Sequence, residues 1–174
     1  SNLGYVLIRD CGQHVSGTAY LEKALALSPA DPAILVNYCF VLSNEGRLDE
    51  MIQICDRLLS VKPDCHEARL NRALALLKKA RFAEAWPDYE ARRHTRSNFI
   101  SRPYRFPQWQ GQPLAGRTIL VYGEQGLGDE IMFASCFGEV IAQAGRCIIE
   151  CSPRLEALFR RSFPAAVVRG GLQT

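Results

Sequence analysis

Two prolines, Pro29 and Pro63, stand 34 residues apart, and each closes a segment whose apolar residues recur with helical spacing, Ala19–Pro29 and Ile52–Pro63. Gly12, Gly46 and Ala80 repeat at the same 34-residue offset. Small residues at that interval suit the tight reversals between antiparallel helices, where crowding has to be relieved. One antiparallel helix pair cannot bury its own apolar stripe, so repeated pairs have to stack on one another. The period therefore predicts helix pairs at 3–11 and 16–27, 32–45 and 48–60, and 66–79 and 82–96, with the leading helix of the first pair displaced by one residue.

These units, at about 2–29, 32–63 and 66–97, resemble the tetratricopeptide repeat family, whose period is 34 residues. Phe82, Ala85 and Tyr89 match the aromatic, small and aromatic positions of that family's second helix, and Leu48, Met51 and Cys55 replace them in the preceding unit. Asn37 and Asn71, again 34 apart, fall on the position that in this family faces the concave surface, and Asn2 joins them once the one-residue shift is applied. The resemblance implies a groove for a peptide or protein partner. Its asparagines would clamp the amides of an extended peptide, as in tetratricopeptide superhelices resembling O-linked glycosyltransferases. The other reading is that Asn is simply tolerated at this position.

After Arg96 the periodicity stops, and Pro103, Pro107 and Pro113 exclude a continuing helix. Residues 98–117 read as a connector in which Phe106, Trp109 and Leu114 pack across the junction. Beyond it the pattern is β-α-β-α-β: strand Thr118–Tyr122, helix Asp129–Ala144, strand Arg146–Cys151, helix Arg154–Arg161 and strand Ala165–Val168. Right-handed crossovers make such a set a parallel half-sheet. The expected fold class is α plus α/β, a three-repeat solenoid over 1–97 followed by a partial Rossmann-like sheet over 118–174.

The run Thr118–Ala134 passes from an apolar strand through a glycine loop into an amphipathic segment, and such loops bring backbone N–H groups to the carboxyl end of a sheet. A phosphate loop is excluded, because Asp129 and Glu130 stand where Lys and Ser or Thr are needed. A dinucleotide fingerprint lacks its third small residue, since Ile131 occupies that place. The segment Pro107-x-Trp109-x-Gly111-x-x-Leu114-x-Gly116, followed by Ile119-Leu-Val and Glu124-Gln-Gly-Leu-Gly-Asp129, resembles the heptosyltransferase-like GT-B domain fused to tetratricopeptide repeats in bacterial proteins.

That resemblance implies sugar transfer, with Asp129 as the base that deprotonates the acceptor hydroxyl and Gly126 and Gly128 beside the substrate, while Glu124 and Gln125 read either as acceptor contacts or as residues that simply face solvent. Asp129 reads equally well as a cap on the helix that starts there. The family needs two Rossmann-like halves, the second holding the nucleotide-sugar donor, and only the first is expected here. The chain is thus expected to be an inactive piece of a longer bacterial transferase, without cofactor or metal, no Asp-x-Asp motif being present. The alternative is a protein-binding repeat module with a non-catalytic α/β cap.

Charge and cysteine usage narrow the partners. The net charge of +3 hides a segment, 91–123, that carries six Arg and no acid. Those guanidiniums either cap and solvate a helix end or meet an anionic ligand. Nucleic acid is not expected, because the nearby aromatics alternate with prolines instead of lying on a sheet. Seven cysteines without a Cys-x-x-Cys pair read as small core residues of a reducing, cytoplasmic setting, without zinc or disulfides. No stretch approaches the length of a membrane span, and no leader is evident.

Overall fold

The computed structural model describes residues 2–95 and 104–171, which group into two compact units, Ser1–Ser97 and Asn98–Thr174. The first is helical: α1 (Asn2–Arg9), α2 (His14–Leu27), α3 (Pro32–Asn44), α4 (Leu48–Val61), α5 (His66–Lys78) and α6 (Phe82–Tyr89). Consecutive helices pack together, and α3 also touches α1 and α5. Helices α1, α3 and α5 therefore form one layer of the stack. The three-repeat solenoid expected from the 34-residue period is what the chain builds.

The turn chemistry recurs with the period. Helices α2 and α4 end two residues before Pro29 and Pro63, and the Asp31 and Cys65 N–H groups donate to the Ser28 and Lys62 carbonyls at 3.2 and 3.1 Å. Asp31 caps α3, its carboxylate accepting from Ala33 and Ile34 N–H at 2.8 and 3.2 Å, with Pro32 at the first helical position.

The reversals inside the pairs use Gly12, Gly46 and Ala80, all left-handed, with φ of 65°, 73° and 56°. After the latter two, Arg47 and Arg81 N–H donate back to Leu42 and Leu76 carbonyls at 2.9 Å, five residues earlier, the closing bond of a Schellman turn. In the first repeat the corresponding bond runs from Gln13 to Leu7 at 2.8 Å and spans one residue more, which accounts for the displaced register.

The core centres on the second repeat. Leu42, Cys39 and Cys55 are fully buried, Met51 nearly so, and the cluster extends to Ile8 and Leu21 on one side and to Ala68 and Ala75 on the other. Cys39 and Cys55 Sγ lie 3.8 Å apart as free thiols, and all seven cysteines are unpaired with one another covalently. Helix α6 is shorter than the expected 82–96. Pro87 lies inside it and lacks an N–H, and the chain tightens into a 3-10 turn at Glu90–His94. Arg96 lies outside the described residues.

The second unit contains β1 (Thr118–Tyr122), α7 (Leu127–Phe133), α8 (Phe137–Gln143), β2 (Arg146–Cys151), α9 (Glu156–Ser162) and β3 (Val167–Gly170). The strands are parallel in the order β1-β2-β3, with Tyr122 opposite Glu150 and Glu150 opposite Arg169. Ile119, Cys147, Ile149, Cys151 and Val168 join Phe137, Phe159 and Phe163 in one core, the three rings lying 5.5–5.9 Å apart. Burial pushes the Cys151 thiol up to about 11.

Three expectations need correcting. The helix expected at 129–144 begins at Leu127 and is interrupted at Ala134–Cys136, where the Ser135 hydroxyl donates to the Met132 carbonyl at 2.8 Å and competes with the helical ladder. The last strand lies two residues later than expected, because the Ala166 N–H is held in a turn to Phe163 at 3.0 Å. Of the connector aromatics and Leu114, only Leu114 is buried. Phe106 is 72% exposed, and the Trp109 indole N–H is satisfied within its own turn by the Gln112 carbonyl at 2.7 Å.

Ala80 is the one non-glycine residue with positive φ among those described. A Cβ in this region costs about 1 kcal/mol. Ala80→Gly should raise the thermal midpoint of the helical unit by about 3–6 °C, and Gly46→Ala should lower it comparably, as followed by far-UV circular dichroism. A lower midpoint for Ala80→Gly would contradict the shared turn geometry.

Candidate functional site

The glycine loop stands at the carboxyl ends of the strands, as its sequence implies. Gly123 N–H extends the β1–β2 ladder to the Glu150 carbonyl at 3.1 Å, and the chain then turns through Glu124 and Gln125 to Gly126, the N-cap of α7. Asp129 is not the cap but the third residue of the helix. Its carboxylate accepts from Gly126 N–H at 3.2 Å, while the Gly126 carbonyl accepts from Asp129 and Glu130 N–H at 3.0 and 3.1 Å. This satisfies an amide ahead of the helix, half of a capping box. Asp129, Glu124 and Gln125 are half-buried, and the latter two already engage other groups.

The two glycines singled out by motif are not the sterically demanding ones. Neither Gly126 nor Gly128 has a positive φ, and a Cβ at Gly128 would meet nothing within 4 Å. At Gly123, by contrast, a Cβ would lie 2.5 Å from Glu130 Cδ. Glu130 occupies that space so that its carboxylate can accept from Ser152 N–H at 2.9 Å, tying the start of α7 to the end of β2. The Gly123–Glu130 pairing therefore builds the loop. Open space at Gly128 leaves room for a ligand without requiring one.

Sequence reasoning missed a second group of residues. Glu150 is only 6% exposed on the central strand, with its side chain on the sheet face opposite Ile149. It accepts from the Tyr104 hydroxyl at 2.6 Å and from Arg169 Nε and Nη2 at 3.1 and 3.0 Å. Tyr104 in turn meets Tyr122 edge-on at 5.6 Å and stacks on Phe106 at 6.0 Å. Residues of the expected connector thus form part of the α/β unit. The available signal was a lone carboxylate inside Arg146-Cys-Ile-Ile-Glu-Cys151, since a buried charge demands partners.

In the helical unit Asn2, Asn37 and Asn71 line up across the α1–α3–α5 layer. Asn37 Nδ2 donates to Asn2 Oδ1 at 3.5 Å, and Asn71 Nδ2 donates to the Val36 carbonyl at 3.3 Å. The side-chain oxygens of Asn37 and Asn71 accept no hydrogen bond among the described residues. Beside this row Tyr5 and Phe40 meet edge-on at 5.4 Å, and Leu74 is partly exposed. The layer presents acceptor oxygens next to apolar side chains.

The arginines of the basic segment separate. Arg92 and Arg93 pair with Glu90 at 2.9 and 3.4 Å, and Arg92 lies over the Tyr89 ring at 4.6 Å. Arg105 and Arg117 are exposed, and Arg96 and Arg102 lie outside the described residues. No helix among the described residues is long and apolar enough to cross a membrane.

The tetratricopeptide repeat family matches residues 12–77, from the first turn through most of α5, and the helical unit contains repeats of that type. Among curated proteins, the chain is 28% identical over 176 residues to protein FlbA of Caulobacter vibrioides, covering 97% of this chain and 29% of FlbA. It is also 31% identical over 96 residues to DnaJ homolog subfamily C member 3 of Rattus norvegicus, covering 53% of this chain and 19% of that protein. The chain therefore spans less than a third of the length of these relatives. The similarity to FlbA runs through both units, whereas the match to the rat protein covers about half of the chain.

The Tyr104–Glu150 bond makes a pH prediction. The Tyr104 hydroxyl is held above its ordinary value, first by the hydrogen bond to Glu150 and then by burial. A raised folded-state value means stabilisation that is complete below the unfolded tyrosine value of about 10 and is lost as pH rises through the folded one. Tyr104→Phe should cost about 1–2 kcal/mol at pH 7–9, a difference that shrinks above about pH 10 in urea unfolding of parent and variant. A constant difference to higher pH would remove the phenol from the account.

Proposed function

We propose that the helical unit is a protein-interaction module that takes an extended peptide along the α1–α3–α5 layer. The observation that carries this reading is the recurrence of Asn37 and Asn71 with their Nδ2 groups held and their Oδ1 atoms meeting no donor among the described residues. Such oxygens suit backbone N–H groups of a bound strand, and the Tyr5–Phe40 pair offers apolar contact beside them. The repeats matched over 12–77 support the same class of function.

A peptide selected from a random display library on the whole chain provides the test. Combining Asn37→Ala with Asn71→Ala should weaken it at least tenfold. Loss of the Asn71 bond to Val36 should also cost about 1 kcal/mol of stability. Undiminished affinity in a folded double variant would contradict the clamp.

A second reading concerns the α/β unit, which we infer to be the acceptor-side part of a sugar transferase acting on a nucleotide-sugar donor within a longer protein. The half-buried carboxylate of Asp129 at the mouth of β1 favours it, together with open space at Gly128. Asp129 would serve as general base, with Glu124, Gln125, Gly126 and Gly128 near the acceptor, and this chain alone would transfer no sugar. Asp129→Asn keeps an acceptor for Gly126 N–H and should fold normally. In the longer protein it should lower turnover by about 10²-fold or more, because a base must titrate. Full turnover in that variant would leave Asp129 with its helix-end role alone.

A further inference from the structure

Helices α2, α4 and α6 hold equivalent places in the three repeats, and the first two are each followed by a helix packed against them, α3 on α2 and α5 on α4. On α4, Leu48 and Ile52 pack against the core cluster that includes Ala68 and Ala75 of α5, and Cys55 is fully buried within it. Thirty-four residues later the same positions on α6 carry Phe82, Trp86 and Tyr89. Here the covering helix is missing among the described residues of the unit. Phe82 is 53% and Trp86 44% exposed.

These side chains form an ordered strip. Phe82 and Trp86 stack with ring centroids 6.4 Å apart, Trp86 meets Tyr89 edge-on at 5.8 Å, and the Arg92 guanidinium lies over the Tyr89 ring at 4.6 Å. Ion pairs bound the strip, Arg81 with Glu84 at 2.6 Å at one end and Arg92 with Glu90 at 2.9 Å at the other. Scattered apolar residues on a surface carry little meaning, but Trp, Tyr and Arg gathered inside a charged rim have the composition of a binding hot spot.

We propose that the Phe82–Trp86–Tyr89 face of α6 docks an amphipathic helix of a partner protein, seated as α5 is on α4. Continuity with that internal interface sets the chemistry of the partner. Helix α5 presents Ala68 and Ala75 to the cluster. Because α6 replaces Leu48 and Ile52 with larger aromatic groups, interior-like packing density requires small residues opposite them. The partner helix therefore carries Ala or Gly at i, i+3 and i+7, with Leu beside them. This surface is separate from the asparagine row and does not depend on it.

The test uses the whole chain with Trp109→Phe, so that Trp86 is the sole tryptophan. The probe is a synthetic helix with Ala at i, i+3 and i+7 flanked by Leu, its helicity verified by circular dichroism. It should produce a saturable blue shift of Trp86 emission, weakened at least tenfold by Phe82→Glu and unchanged by Asn37→Ala. Phe82 is exposed at the first position of α6, where an acidic residue is favoured, so the Glu variant retains the fold. No shift with a verified helix would overturn the proposal. Two further results would also do so: Trp86 already shielded from a soluble quencher in the free chain, or self-association abolished by Phe82→Glu, which would assign the face to a second copy.

Discussion

An antiparallel helix pair with apolar residues along one side has no way to bury them alone, and the helical unit is organised around that constraint. The second repeat meets it most fully. Tyr38, Cys39, Val41 and Leu42 of α3 and Met51, Ile54, Cys55 and Leu58 of α4 supply most of the buried cluster, while the flanking repeats contribute its edges through Ile8, Leu21, Ala68 and Ala75. The outer repeats thus depend on the central one for their burial. The same dependence leaves Phe82 and Trp86 of α6 exposed, since no following helix packs on that face among the described residues.

What could be read from the sequence was what recurs or alternates locally. The helix pairs, the reversals at Gly12, Gly46 and Ala80, and the strands β1 and β2 follow from spacing, because each is determined by neighbours within a few residues, whereas the left-handed backbone of those reversals is seen only in the structure. The bond from Tyr104 to Glu150 joins residues 46 apart in chain order, and the clash that reserves Gly123 for the Glu130 side chain depends on how the loop between them folds back, so no period announces either. Asp129 shows a subtler limit. Its residue type suggested the cap of a helix starting at 129, but the helix starts at Leu127 and the geometry puts Asp129 inside the first turn, reaching back to Gly126. Phe82 likewise matches an aromatic position of the repeat yet stands exposed, because it lies on the last helix of the stack among the described residues.

Both units place chemically usable groups on a defined framework. The helical layer aligns amide oxygens by repetition, one per repeat, and the half-sheet brings its loop to the strand ends by topology. In the second unit the buried Glu150 joins all three strands and the Tyr104 segment, through register with Tyr122 and Arg169 and through the Tyr104 and Arg169 donors. A carboxylate so enclosed is costly to leave unpaired, so its partners hold the sheet and the preceding segment as one structure.

Native-state hydrogen exchange followed by mass spectrometry tests the central claim most directly. If the second repeat anchors the stack, peptides from α3 and α4 should exchange slowest in the helical unit and only through its global opening. Peptides from α1 and from the 3-10 end after α6 should exchange earlier through local openings. Exchange of α3 and α4 before either flanking repeat would contradict a solenoid whose stability is centred on the Cys39–Leu42–Met51–Cys55 core.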